Sequence, residues 1–471
     1  MNYFKRLSIF FLIVVTIFLR FDNLGYSHFY GDETKTFYLD KTKPALEFFL
    51  DQRKGPIQFL VSWITEKITG GYNELFHRIP FAIASSLAVL IIYHLILKIF
   101  EHESKKEFIA ILAAYLFSIS GFFVAFGRTV QYQSFLILFG LLSILLIINK
   151  KNFLAGVTLG LAFLSHYDAV FYLFPLAVFG YVFNRINYKN LIIFFLGLII
   201  ITAPFYITYL FSGKFQINTL DYLTKRISGK DYLPNNSLLT LNVYNPNILY
   251  LFLLSFSFFS VIDFVKKIKE RKYDLILISL GIWFGIPFIV FELIFSNPGT
   301  HILNYIIPII ILASYGMIKF YEFLKTNIAR NIVISIYVLV TMLITVTQIK
   351  VFTPTFNTGY PWYANISKNE YQLFLYGFPY NRNWNEINEF LKKQKDFNNF
   401  YTNDDTETSE FYLYPRPSYK YNPTYFIDIK RNQQFKIQDD NFGKVFEYNI
   451  VKEITNNGEV IATIYKRGDR K

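Results

Sequence analysis

The chain of 471 residues contains no cysteine, and only 17% of it is charged. Without thiols it can form neither disulfides nor thiolate nucleophiles or ligands. Soluble domains carry about a quarter charged residues. So little charge, with 53% hydrophobic residues and a mean hydropathy of +0.30, excludes an ordinary soluble protein and points to lipid. The net charge of +13 is concentrated in short stretches between apolar runs. That pattern fits membrane topology and excludes nucleic acid as a partner. No repeat of 20–50 residues is present, which excludes a solenoid.

What the chain does have is long apolar runs. A crossing helix needs roughly 20 apolar residues. Runs of that kind lie near 4–20, 79–100, 107–127, 131–149, 190–211, 247–265, 274–295, 302–321 and 330–349. The first has Lys5 and Arg6 ahead of it but no small-residue cleavage site behind, so it reads as an uncleaved helix rather than a leader. The stretch 153–183 would be about 46 Å long as one helix, too long for one span. It is flanked by basic "NKKN" and "NRINYKN", and short basic loops stay in the cytoplasm. The chain therefore crosses twice, turning at Ser165-His166-Tyr167-Asp168.

The expected fold is an α-helical polytopic membrane protein with about 11 transmembrane helices, residues 1–349. Loops 101–106, 266–273 and 319–330 fall inside, and loops 21–78, 128–130, 165–168, 212–246 and 296–301 outside. Residues 350–471 follow as a small extracytoplasmic α/β domain. In it "NWNEINEFLKK" reads as a helix with Trp384, Ile387, Phe390 and Leu391 on one face, and strands are expected near 398–401, 424–429 and 459–465.

The first outer loop, 21–78, is the richest in chemistry. Its segments 43–52 and 53–70 have apolar residues at helical spacing and read as amphipathic helices in the interface, the second through Ile57, Leu60, Val61 and Ile64. Ahead of them, "HFYGDETKTFY" carries the adjacent acids Asp32 and Glu33. Other outer loops bring Arg128, Gln131, His166, Asp168, His301 and Asn304 to the same face, and polar groups at a bundle's border mark a pathway or a site. Carboxylates, cations and aromatics there suit sugar transfer from a lipid-linked phosphate. A carboxylate takes the acceptor hydroxyl's proton, and a cation meets the phosphate charge that grows as the bond breaks. Arg78 reads as an anchor at the start of the second span, and His94 as a hydrogen-bonded core residue. A divalent metal on His28, His166, Asp168 or His301 is left open, since their spacing matches no compact ligand motif.

In order along the chain, "GDE", "KGPIQFLVSW", "HRIPFAIASSLAVL", "GRTVQYQSFLILFG" and "GLAFLSHYDAVFYL" resemble motifs of the GT-C superfamily of polyprenyl-phosphate-sugar glycosyltransferases. The likeness is to glycosyltransferase family 39 and its relatives, which include protein O-mannosyltransferases and the lipid A aminoarabinose transferase. It implies an inverting enzyme of the bacterial plasma membrane, moving a sugar from a polyprenyl phosphate to a lipid, glycan or protein acceptor on the outer face. By the same resemblance Asp32 is the general base, and Glu33 orients the acceptor or touches a metal. Lys54 and Arg128 hold the donor phosphate, and His166 and Tyr167 line the donor side. The family's Arg-Tyr near the tenth span stands here as Asn304-Tyr305, so His301 is the substitute cation and Tyr305 a substrate contact. The alternative class is a transporter or flippase of lipid-linked sugars, which would place ionisable residues at mid-membrane.

Overall fold

In a computed structural model the chain is described over residues 2–185, 187–228, 237–296, 298–356, 376–379, 381–419, 423–430, 448–456 and 458–468. Parts of loop 212–246 and of the region 350–471 therefore lie outside the described residues. Each expected span contains helix, though not always over its whole length. Among the described residues seven helices are long and apolar enough to cross a membrane. Gly299–Phe323 runs through the centre, 89% buried along its apolar window, whereas Tyr188–Phe211 is only 11% buried. A helix this apolar with so exposed a surface faces hydrocarbon, where Leu and Ile side chains need no protein partner. Gln133–Ile148 and Asn152–Ser165 are shorter apolar helices. The stretch 153–183 does break where its basic flanks required, with Asn152–Ser165 ending before His166 and the next segment starting at Tyr167.

Two expectations are corrected. The span expected over 107–127 is broken: Lys106–Ile119 and Gly121–Gly127 meet at 62°. Ser120 is extended, and the freed N–H of Gly121 donates to Asn245 Oδ1 at 2.6 Å. A Cβ at Gly121 would sit 1.8 Å from the Tyr244 carbonyl oxygen, so only glycine permits this crossing. His94 is exposed on the outer surface of its helix rather than held in the core.

The two ends of the bundle gather different sets of loops. At one end Lys5 meets Glu107, Lys319 meets Glu103 at 2.9 Å, and the Tyr315 hydroxyl donates to Asp263 at 2.7 Å. These groups lie in or beside the N-terminus and the loops 101–106, 266–273 and 319–330. At the other end the first loop, residues 128–133, 166–168, 214–228 and 296–304 converge, with Gln133 Nε2 donating to Thr300 Oγ1 and Asn218 Nδ2 to the Asp51 carbonyl.

A small domain covers that second end. Strands β1 (Phe400–Thr402), β2 (Tyr425–Ile429), β3 (Tyr448–Asn456) and β4 (Glu459–Arg467) form a sheet of order β1-β2-β4-β3, parallel only between β1 and β2. The helix Trp384–Lys392 buries Trp384, Ile387 and Leu391 against it. The same apolar cluster takes in Phe29 and Phe37 of the first loop and Phe81 of the second span, so loop and domain share one core.

Candidate active site

The acid pair lies on a 3-10 helix, Gly31–Thr36. The tight winding of such a turn sends successive side chains in different directions. Gly31 opens it with φ +54°, its N–H donating to Thr408 Oγ1 of the sheet domain at 3.2 Å. The Asp32 N–H donates to the Tyr376 hydroxyl at 3.2 Å. Helix Thr406–Tyr412 closes the other flank, where the Tyr412 hydroxyl accepts the Phe29 N–H at 2.7 Å and donates to Glu74 at 2.6 Å.

Glu33 points inward and is 1% exposed. Its Oε1 accepts from Arg78 Nε at 3.0 Å and Val130 N–H at 2.9 Å; its Oε2 accepts from Arg78 Nη2 at 2.9 Å and Tyr30 N–H at 3.1 Å. Arg78 spends its remaining donors on the carbonyls of Leu24, Ser27 and His28. Expected to orient an acceptor or touch a metal, Glu33 has no carboxylate lone pair left for either. It is a structural knot. Arg78 is the anchor it was expected to be, tied to the loop rather than to the bundle alone.

Asp32 points the other way, into a polar cleft of about 390 Å³. Its oxygens meet Lys35 Nζ at 3.2 Å and Lys54 Nζ at 3.3 Å. Burial raises the Asp32 carboxyl, but the cations of Lys54, Lys35 and Arg53 outweigh it and hold the group well below the usual carboxylate range. Lys54 is 10% exposed, and burial pushes its ammonium down to about 8 despite the pull of Asp32. Lys35 also reaches Glu407 of the sheet domain at 2.8 Å. The far wall comes from the fourth outer loop: Asn218, Asp221, Tyr222 and Lys225, with the Arg53 guanidinium 4.0 Å from the Tyr222 ring centre. Sequence reasoning missed Lys35, Arg53, Tyr222 and Lys225. Two of these had a legible signal, since Lys35 lies one 3-10 turn after Asp32 and Arg53 sits beside Lys54.

Lys54 is aimed by the start of the next helix, Ile57–Thr69. Its expected apolar stripe is only half buried: Leu60 and Ile64 face out, while Gln58, Phe59 and Ser62 face the bundle. Gly55 lets the chain pass against the end of the helix Asn152–Ser165, for a Cβ there would lie 2.0 Å from the Leu164 carbonyl oxygen. Gly55→Ala is expected to shift this backbone and Lys54 with it and to cost about 1–3 kcal/mol, which a thermal melt checks.

The other expected residues divide. His166 stacks on Tyr132 at 3.9 Å, and the Lys54 ammonium lies 4.9 Å from the same ring, so His166 and Tyr167 back the cleft one layer behind Lys54. His301 is not a free cation at the cleft; its Nδ1 lies 2.7 Å from Asp168 Oδ2. Arg128 does not line the cleft either, since its guanidinium donates to the carbonyls of Leu19 and Asp22. Tyr305 donates to Glu292 at 2.8 Å. Of the four groups weighed as metal ligands, His166, Asp168 and His301 come together, whereas His28 accepts the Arg382 N–H at 3.0 Å in the loop–domain contact.

Residues 53–209 match the family described as dolichyl-phosphate-mannose-protein mannosyltransferase. No curated protein sequence matches significantly. Among solved structures, ArnT from Cupriavidus metallidurans bound to undecaprenyl phosphate is similar at 12% identity and TM-score 0.58, over 97% of each chain. The apo form of that protein gives 12% identity and TM-score 0.53, over 98% of each. An Archaeoglobus fulgidus oligosaccharyltransferase tethered with an acceptor peptide is 13% identical with TM-score 0.48, over 92% of this chain and 61% of that one. One third of the chain thus matches a mannosyltransferase family model, and the fold as a whole is similar to that of ArnT over nearly its full length.

Proposed function

We propose that the protein transfers a sugar from a polyprenyl-phosphate carrier to an acceptor hydroxyl on the outer face of a bacterial plasma membrane, inverting the anomeric carbon, with Asp32 as general base. On this reading residues 1–349 carry the reaction, and residues 350–471 stand outside the cytoplasm. The observation that carries it is the cleft in which one carboxylate is flanked by Lys54, Lys35 and Arg53. The undecaprenyl phosphate held by the similar ArnT structure supports a carrier of that chemistry.

Physical chemistry supplies the order of events. At rest Lys54 and Lys35 neutralise Asp32 and keep it a weak base. A donor phosphate entering the cleft competes for both ammonium groups through charge-assisted hydrogen bonds. Freed of them, the Asp32 carboxylate becomes more basic and takes the acceptor proton as the oxygen attacks the anomeric carbon. The sugar–phosphate bond breaks, and the negative charge passes to the phosphate beside Lys54 and Arg53.

Lys54 must be protonated to serve, and its pKa is near 8. Specificity for donor, measured as kcat/KM, is therefore expected to fall as pH rises through about 8. Lys54→Arg should carry that limb beyond the working range, because arginine stays charged; an unmoved limb would clear Lys54 of the role. The whole reading is tested with purified protein and labelled polyprenyl-phosphate sugar: free polyprenyl phosphate and labelled acceptor should form together. Passage of intact donor across a vesicle membrane without cleavage would replace transfer by transport.

A further inference from the structure

We infer that His166, Asp168 and His301 form a binding site for a divalent metal ion of the zinc or cobalt kind. The side chains come from two distant stretches, the junction after Asn152–Ser165 and the turn Gly299–Ile302, and all are at least 95% buried. Their donor atoms lie within 4.8 Å of one another. His301 Nδ1 is 2.7 Å from Asp168 Oδ2, and His166 Nδ1 is 3.1 Å from Asp168 Oδ1.

Protons alone do not satisfy this arrangement. His166 Nδ1 also lies 3.1 Å from the backbone N–H of Asp168, which it accepts. If that nitrogen carries a hydrogen, it opposes the backbone N–H. If it does not, its lone pair faces an anionic oxygen. A cation that takes this single lone pair in place of the backbone N–H, and shares it with Oδ1, removes the second conflict. Among the described residues no lysine or arginine pairs with Asp168, so a buried carboxylate has only imidazoles to offset it. A separate observation points to the same place. Asn304 Nδ2 donates to Asp168 Oδ2 at 3.0 Å, yet Oδ1 of that amide is buried and unpaired. It is a spare acceptor on the same side chain that holds the Asp168 carboxylate.

Two imidazoles and a carboxylate suit a borderline ion in four-coordinate geometry. Calcium would want six to eight oxygens and is disfavoured. With bonds of about 2.1 Å, tetrahedral donors sit about 3.4 Å apart, so the donors, now within 4.8 Å of one another, move by up to about an ångström as side chains rotate around the ion. The ion would pin the two stretches together behind Tyr132, the ring that Lys54 lies over. This role is positional and independent of the transfer reading.

The test uses the full-length protein without a histidine tag, stripped with chelator in detergent and titrated with Co²⁺ alone. One equivalent should bind with visible d–d absorption and be displaced by Zn²⁺. Asp168→Asn and His301→Ala should lose the band, and His102→Ala, an exposed residue at the opposite end, should keep it. His301→Cys restores a ligand and should add a thiolate-to-cobalt charge-transfer band, unmistakable in a chain with no other cysteine. That variant answers the question where the alanine variant fails to fold. No band in the wild-type protein, or an unchanged band in folded His301→Ala, overturns the proposal.

Discussion

Asp32→Asn is expected to reduce sugar transfer by about 10²–10⁴-fold, the range that general-base catalysis supplies, while the protein still inserts and folds. The substitution keeps the side chain's size and removes only its charge and basicity. The Glu33–Arg78 knot bonds to neither Asp32 oxygen and should survive, so the stability cost is confined to leaving Lys54, 10% exposed, without its carboxylate. One secondary effect is expected. Lys54 loses the anion that opposes its desolvation, so its pKa falls below the present value of about 8. Donor affinity in the variant should therefore weaken most at alkaline pH, and turnover should be compared near pH 6.5, where Lys54 stays charged. Asp32→Glu separates charge from position: it restores a base but moves it by one methylene, and partial recovery is expected. Full transfer by Asp32→Asn would remove Asp32 from the chemistry.

The second large effect is on stability. Arg78→Ala should destabilise the protein by about 3–5 kcal/mol, as removing one partner of a buried ion pair does. Glu33 would be left charged at 1% exposure with only two backbone N–H donors. Three loop carbonyls would lose their donor as well. Replacing both partners by apolar residues of similar volume, Arg78→Met with Glu33→Leu, should recover part of the loss, because no uncompensated charge remains. Melting points in detergent measure both. An Arg78→Ala variant that melts with the wild type would mean the pair is solvated and the knot does not hold the loop.

The spans were legible because hydrocarbon imposes one rule on every residue that meets it, and local sequence is enough to read that rule. The turn at His166 was readable from the basic flanks alone. The bend at Ser120 was not, since its cause is the carbonyl of Tyr244, more than 120 residues away. Strand β3 escaped notice for a related reason. As an edge strand it buries only Ile454, so "YNIVKEITN" shows no inward alternation. In the site, the choice between the two acids depended on Arg78 and Val130, partners that sequence order does not suggest. The roles of His301 and Arg128 as phosphate ligands, implied by the family resemblance, did not allow for Asp168 or for the carbonyls of Leu19 and Asp22 as competitors.

The contacts between the first loop and the sheet domain also have a consequence in time. Phe29 is synthesised near the start of the chain, and its hydroxyl partner Tyr412 is 383 residues later. At roughly 5–20 residues per second, about 20–75 s separate the two. Throughout that interval the acid-bearing turn lacks Thr408 and Tyr412, and the cleft behind it cannot take its final form. Glu74 waits for the same hydroxyl. A truncated chain can thus insert many of its spans and still never assemble the cleft, so competence arrives only with the last stretch delivered to that side of the membrane.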